Sequence, residues 1–363
     1  MLISKKSKEI VDSCRFCWMC RHICPIGNAT GQERNTARAR ALTLSVVERG
    51  AAELEGGIID NVYECALCGA CTKECVTGWD PVQFTKETRN EIALTGKLPA
   101  YVEKLLDNLD ATGNIYGKTE FCPCLAEAAA DVADVTDTLF FIGADARCKA
   151  TDKAAGAVKM LKAAGIKFTV LANEPDSGYH LDFLVGAADE TKEAMTNCAK
   201  VLNGFKTVVC YDPADAKVML REYKEWGIDL TAQVKTFTTF LAEKIADGTI
   251  KAAKTDKTLY FQDPAVLARD LEETDAARAV LAACGEVKEM LLYGKDVMWA
   301  GSTLMAEYLP KVMTLTATRR FDDLKHVGGK VMVTASPSEY AVLKAVKPDD
   351  CELYTIEEVV AGC

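Results

Sequence analysis

The chain has 363 residues, 26% of them charged, and a net charge of −10. That length leaves room for about two to three domains, and the acidic balance argues against a nucleic-acid partner, whose phosphates select Lys and Arg surfaces. Met1 to Ile10 lacks the apolar core of a secretory signal, and apolar stretches such as Thr138 to Gly143 fall far short of the roughly 18 to 20 residues of a membrane helix; the expectation is a cytoplasmic protein without a transmembrane segment, meeting a membrane at most peripherally through a partner.

In chain order the first features are two cysteine quartets. Cys14, Cys17, Cys20 and Cys24, followed by Pro25, and then Cys65, Cys68, Cys71 and Cys75 both read C-x2-C-x2-C-x3-C. Between them Glu33 to Arg49 is predicted helical, with Ala37, Ala41, Leu44 and Val47 near one face, so the quartets fall on loops between helices. Residues 1–98 form this first unit. Residues 99–135 connect it onward through a short helix, Tyr101 to Leu109, and a loop, Gly113 to Gly117.

Beyond the connection, short β-rich runs alternate with alanine-rich helical ones. The predicted strands are Leu139 to Ile142, Phe168 to Leu171, Thr207 to Cys210, Thr258 to Phe261, Met290 to Tyr293, Val331 to Thr334 and Glu352 to Thr355. Lys153 to Ala164, Thr191 to Leu202, Ala214 to Trp226, Ala276 to Ala283 and Tyr340 to Val346 read as helices. Such alternation implies α/β units around mostly parallel sheets. Thr136 to Phe141 recurs as Thr255 to Phe261, and Val208-Val209 with Asp212-Pro213 recurs as Val331 to Val333 with Ser336-Pro337. The expectation is a tandem duplication, 136–250 and 255–363.

Thiolates are the soft ligands of iron–sulfur clusters, and x2 spacing lets successive sulfurs curl around one cube. Zinc would use two C-x2-C pairs per ion and leaves the third cysteines at x2 and the fourths at x3 unexplained. The quartets therefore point to two 4Fe-4S clusters. In a two-cluster arrangement the fourth cysteine crosses over, so Cys14, Cys17, Cys20 and Cys75 would hold one cluster and Cys65, Cys68, Cys71 and Cys24 the other. Arg15, Arg21, His22 and Lys73 are interleaved with these ligands, either to tune the clusters or to face solvent.

The segment Cys14 to Pro25, and Cys75-Val76-Thr77-Gly78-Trp79-Asp80-Pro81 after the second quartet, resemble the α-helical ferredoxin domain of the iron–sulfur subunits of heterodisulfide reductase, anaerobic glycerol-3-phosphate dehydrogenase and glycolate oxidase. The Gly113 to Gly117 loop is similar to that family's linker, and the tandem α/β halves resemble its duplicated cysteine-rich CCG domains. The resemblance implies an α-helical ferredoxin domain followed by two tandem α/β CCG-like domains with mostly parallel sheets.

The CCG cysteines themselves are missing. In the first half the matched positions read Gly143-Ala144, Asp176-Ser177-Gly178 and Asp212-Pro213-Ala214-Asp215; in the second they read Asp263-Pro264-Ala265, Trp299-Ala300-Gly301 and Ser336-Pro337-Ser338-Glu339. Of the other cysteines, Cys122, Cys124, Cys148, Cys198, Cys210, Cys284, Cys351 and Cys363, only Cys122-Pro123-Cys124 forms a close pair; free buried thiols are the expectation for all eight, with a further site on Cys122, Cys124 and Cys148 as the alternative. His180 and His326 show no triad-like neighbours in sequence.

The resemblance thus implies a non-catalytic electron-transfer subunit. It would relay electrons between an FAD-linked dehydrogenase subunit and a further carrier or acceptor, with the ligand-free halves as docking platform. The alternative is a catalytic subunit of a disulfide, thiol or quinone reductase with a third centre.

Overall fold

A computed structural model describes residues 3–14, 17–120, 122–132 and 135–362. Arg15 and Cys363, singled out above, lie outside the described residues.

The N-terminal third is helical, and its caps are written in the sequence. Pro25 and Pro81 each occupy the first turn of a helix, Pro25–Thr30 and Pro81–Leu94, where a missing N–H costs nothing. Asp80 accepts the amides of Val82 and Gln83 and the Thr72 hydroxyl. The predicted helix Glu33 to Arg49 is split into a 3-10 turn, Glu33–Asn35, and a helix, Ala37–Glu48, because the Thr36 side chain caps the Ala39 amide and restarts the helix there. A longer helix than predicted, Ala100–Thr112, leads into the Gly113 to Gly117 loop.

Two all-parallel sheets follow. The first joins β1 (Thr138–Phe141), β2 (Thr207–Cys210) and β3 (Gln233–Thr236) in that order. The second has the order β5, β4, β6, β7, from β4 (Leu259–Gln262), β5 (Val287–Glu289), β6 (Val331–Thr334) and β7 (Glu352–Thr355). A single parallel bridge joins Thr169 to Leu139 on the free side of β1. Counting that bridge, both sheets run second, first, third, fourth in chain order.

The predicted strand Phe168 to Leu171 therefore shrinks to one bridge. Thr169 exchanges both backbone groups with β1, but Arg147 takes the Leu171 carbonyl. Met290 to Tyr293 is not a strand either. The paired residues are Val287–Glu289, and the Leu292 carbonyl is held by the Arg320 side chain. β3, which sequence reasoning missed, is an edge strand whose first residue, Gln233, is exposed. The predicted helix Ala214 to Trp226 is Pro213–Lys217, a π-helical stretch Val218–Glu222 and a last turn Tyr223–Glu225.

The two α/β halves share one continuous core, in which Phe140, Val209 and Phe240 of the first lie with Phe261, Val280 and Val333 of the second. The helical part joins both halves in a second core through Tyr63, Phe84, Phe183, Leu184, Trp299 and Met305. Its side chains also cap the helix Tyr179–Val185: Arg89 Nη1 donates to the Phe183 carbonyl at 2.6 Å, the Tyr63 hydroxyl to Leu184 at 3.0 Å and Asn90 Nδ2 to Val185 at 3.1 Å. These are carbonyls a helix end leaves unpaired.

Candidate metal centre

The two quartets fold alike from Trp18 to Cys24 and from Gly69 to Cys75. The helix Met19–Ile23 starts at Trp18 with φ 72° and ψ 0°, between the second and third cysteines of the first quartet, and Ala70–Glu74 starts at Gly69 with φ 71° and ψ −2° at the matching place in the second. Their last cysteines, Cys24 and Cys75, take nearly the same extended conformation, φ −71° and ψ 115° against φ −77° and ψ 112°. A tryptophan in the left-handed region is unfavourable, and Arg38 stacks on its ring at 3.6 Å. The two short helices lie against each other.

Cys24, from the first quartet, lines one cavity with Cys65, Cys68 and Cys71 of the second. The Gly27 amide points at Cys24 Sγ at 3.4 Å and the Leu67 amide at Cys65 Sγ at 3.4 Å, the kind of donation that steadies a thiolate. Cys20 acts electrostatically with Cys14 and Cys17. Cys75 Sγ lies 3.2 Å from the Thr77 hydroxyl.

Burial pushes the Cys24 thiol up to about 12, with Cys68 and Cys65 adding and the Gly27 amide and Arg40 opposing. Cys71 is raised well above the usual thiol range by burial and by Cys65, Cys68, Cys24 and Cys20. Burial also raises Cys68, opposed first by Arg269. Thiols so placed keep their protons until a metal takes the proton's place.

Two guanidinium groups offset that crowding of sulfur. Arg40, 2% exposed, lines the cavity and donates to the carbonyls of Asn61 and Asn35 at 3.0 and 3.3 Å. Arg269 donates to the Cys68 and Val297 carbonyls at 2.6 and 2.7 Å, and its Nη2 is buried without a partner. An orphaned cationic donor beside a ring of thiols fits an anionic cluster. Neither arginine was expected from the sequence. Of the interleaved basic residues that were, Arg21, His22 and Lys73 are exposed, and Lys73 pairs with Glu74 and Asp296.

At the strand ends of the first half lies a second cavity, of about 270 Å³, whose walls include Asp145, Cys148, Glu174, Asp176, Ser177, His180, Asp212 and Asp215. Ala144, Asp176, Ser177, Asp212 and Asp215, from the first-half segments that resemble CCG motifs without their cysteines, all line it. His180 Nε2 meets Asp145 Oδ1 at 2.7 Å, and the Tyr116 and Thr303 hydroxyls complete Asp145 at 2.6 and 2.9 Å. Burial opposes both charges, but His180 holds Asp145 down at about 2 and Asp145 raises His180. His180 thus has the carboxylate partner that sequence inspection did not find. Burial and Asp145 push Asp212 up to about 7, and burial and Asp212 raise Asp215 well above the usual carboxylate range.

In the second half arginines pair the carboxylates instead. Arg278 forks onto Asp263 at 2.8 and 2.9 Å and onto Glu289 at 2.7 and 2.8 Å. Fully buried Arg320 donates to Gln262 Oε1 at 2.7 Å and Asp323 at 2.6 Å, while Gln262 Nε2 reaches Glu339 at 3.3 Å.

Cys198, Cys210, Cys284 and Cys351 are buried, Cys122 is exposed, and the Cys124 amide donates to Cys122 Sγ at 3.4 Å. Among the described residues no three His, Cys, Asp or Glu side chains converge closely enough to hold a single metal ion, and no helix is long and apolar enough to cross a membrane.

Residues 10–79 match the family model of the 4Fe-4S dicluster domain. Over 305 residues the chain is 27% identical to a subunit of the dihydromethanophenazine:CoB–CoM heterodisulfide reductase of Methanosarcina acetivorans, covering 77% of this chain and 74% of that one. The corresponding protein of Methanosarcina mazei is 26% identical over 307 residues, with the same coverage. An aspartate racemase of Picrophilus torridus superposes with a TM-score of 0.30 at 10% identity, over 62% of this chain and 90% of that one, a likeness too slight to carry an argument. The N-terminal part is an iron–sulfur domain of the dicluster type, and the chain resembles an oxidoreductase subunit that works with others.

Proposed function

We propose that the chain is an electron-transfer subunit with two 4Fe-4S clusters, one on Cys14, Cys17, Cys20 and Cys75 and the other on Cys24, Cys65, Cys68 and Cys71. It relays electrons between an FAD-linked dehydrogenase subunit and a further redox partner. The observation that carries this reading is the cavity lined by Cys24 together with Cys65, Cys68 and Cys71, since it joins a ligand of the first quartet to three of the second.

Bound clusters supply one-electron chemistry. The chain's own residues furnish eight thiols and set the Arg40 charge beside Cys24 and the Arg269 charge beside Cys68. The closed network around Arg320, Gln262 and Glu339 supports a structural role for the second half.

The test is anaerobic purification with iron and sulfide analysis and redox titration followed by electron paramagnetic resonance. Two clusters give about eight irons per chain and reversible one-electron signals. A value near twelve would overturn the relay reading in favour of a third centre.

One observation favours a second reading, a reductase of a disulfide, thiol or quinone. A groove of about 450 Å³ runs from Cys68 past Trp299 to Tyr179, between the helical part and both halves, and it is of the size of small-molecule sites. Turnover of such a substrate by the chain without its partners would establish it.

A further inference from the structure

The cavity at the strand ends of the first half gathers more carboxyl groups than its own cations can pair. Arg147 is committed to Glu174, at 3.1 and 3.2 Å, and Glu174 also accepts the amides of Ile142 and Gly143 at 2.8 and 2.7 Å. His180, whose charge acts on Asp176 and Asp212, is hydrogen-bonded to Asp145. Asp176, Asp212 and Asp215 are left without a lysine or arginine among the described residues.

What these three receive is slight. Asp176 accepts the Gly178 amide at 2.9 Å, Asp215 the Ser177 hydroxyl at 2.5 Å, and Asp212 Oδ1 the Ala214 amide at 2.9 Å. Asp212 is 2% exposed, lines the cavity, and its Oδ2 has no partner at all. Leaving such an oxygen buried and unpaired is costly, and more so for a charged one. The backbone is also shaped around these groups: a Cβ on Gly143, at φ +85°, would run into Asp215 Oδ2.

The chemistry of a fitting occupant follows from the walls. Oxygen donors favour a hard cation. Because no three of the carboxylates converge, an ion stripped of water and caged by six to eight protein oxygens, as calcium is, does not fit. Magnesium-class ions keep several waters and bind through one or two carboxylates. At roughly 30 Å³ per water, a cavity of about 270 Å³ admits the ion with much of its hydration shell.

We propose that this cavity binds one hydrated divalent cation of the magnesium class, held directly by Asp212, with Asp176 and Asp215 accepting hydrogen bonds from its water. The site is distinct from the cysteine quartets and is independent of the electron-transfer reading.

The test uses the full-length, cluster-loaded protein, freed of loose metal by gel filtration and titrated anaerobically with Mn²⁺, free ion being read from its six-line resonance. One Mn²⁺ per chain should bind saturably and be displaced by Mg²⁺. Affinity should fall at least tenfold in Asp212→Asn and in Asp176→Asn, with iron content and visible spectrum unchanged, and should not change in the exposed control Asp131→Asn. Should Asp212→Asn fail to fold, Asp176→Asn carries the same test. Absence of saturable binding, equal affinity in folded variants, or displacement by putrescine but not by Mg²⁺ would overturn the proposal.

Discussion

Arg269 donates its Nε hydrogen to the backbone carbonyl of Cys68 across 2.6 Å, although 201 residues separate them. The second α/β half thereby places a positive charge beside a cysteine of the helical part. Arg269→Gln removes that charge. A unit charge roughly 8 Å away at an effective dielectric of about 20 is worth about 2 kcal/mol, and 59 mV corresponds to tenfold for one electron. One midpoint potential should fall by roughly 50 to 100 mV, read in a redox titration, while iron content stays level.

Cys68→Ser and Cys71→Ser should each lower iron from about eight to about four per chain. Cys198→Ser places a hydroxyl at a fully buried site, costing about 1–3 kcal/mol, but should leave iron unchanged. Iron loss in the Cys198 variant, or its retention in the other two, would refute the ligand assignment.

His180→Asn leaves Asp145 buried without its cation, which should destabilise the fold by about 3–5 kcal/mol at low pH. The sign with pH follows from the raised folded pKa of His180. The histidine's contribution is complete below its unfolded value of about 6.5 and fades as pH climbs through the folded one. The gap between wild-type and variant denaturation midpoints should therefore narrow from pH 6 to pH 9. A gap that widens would mean that His180 is neutral in the folded protein.

Gly143 has φ 85° and ψ 153°, a region essentially confined to glycine. Gly143→Ala should cost roughly 1–3 kcal/mol from backbone strain alone, and more because its Cβ meets the Asp215 carboxylate. Urea midpoints would show this, and a shift near zero would contradict the described backbone.

Local signals carried part of this fold into view. Thr207 to Cys210, Val331 to Thr334 and Glu352 to Thr355 were delimited correctly because each is a short β-rich run ended by a turn or a capped helix. Gln233–Thr236 escaped since an edge strand has one free side and needs few apolar residues. The quartets announce their chemistry by spacing, a local property. The environment of His180 does not: its carboxylate lies 35 residues earlier, and the hydroxyls that complete it come from Tyr116 and Thr303. Arg40 and Arg269 were hidden for the same reason, as neither stands next to a cysteine in the chain.

Arg89 grips the end of the helix Tyr179–Val185 with one nitrogen and the carbonyls of Val62 and Cys65 with the other. The grip is on main-chain oxygens, with the Phe183 ring lying against the same guanidinium at 4.5 Å. The stretch that opens the second quartet takes its final shape only against the rest of the chain. The cluster-bearing third is no portable cassette to be cut out or grafted elsewhere, and any assembly that uses it must take in the α/β body with it.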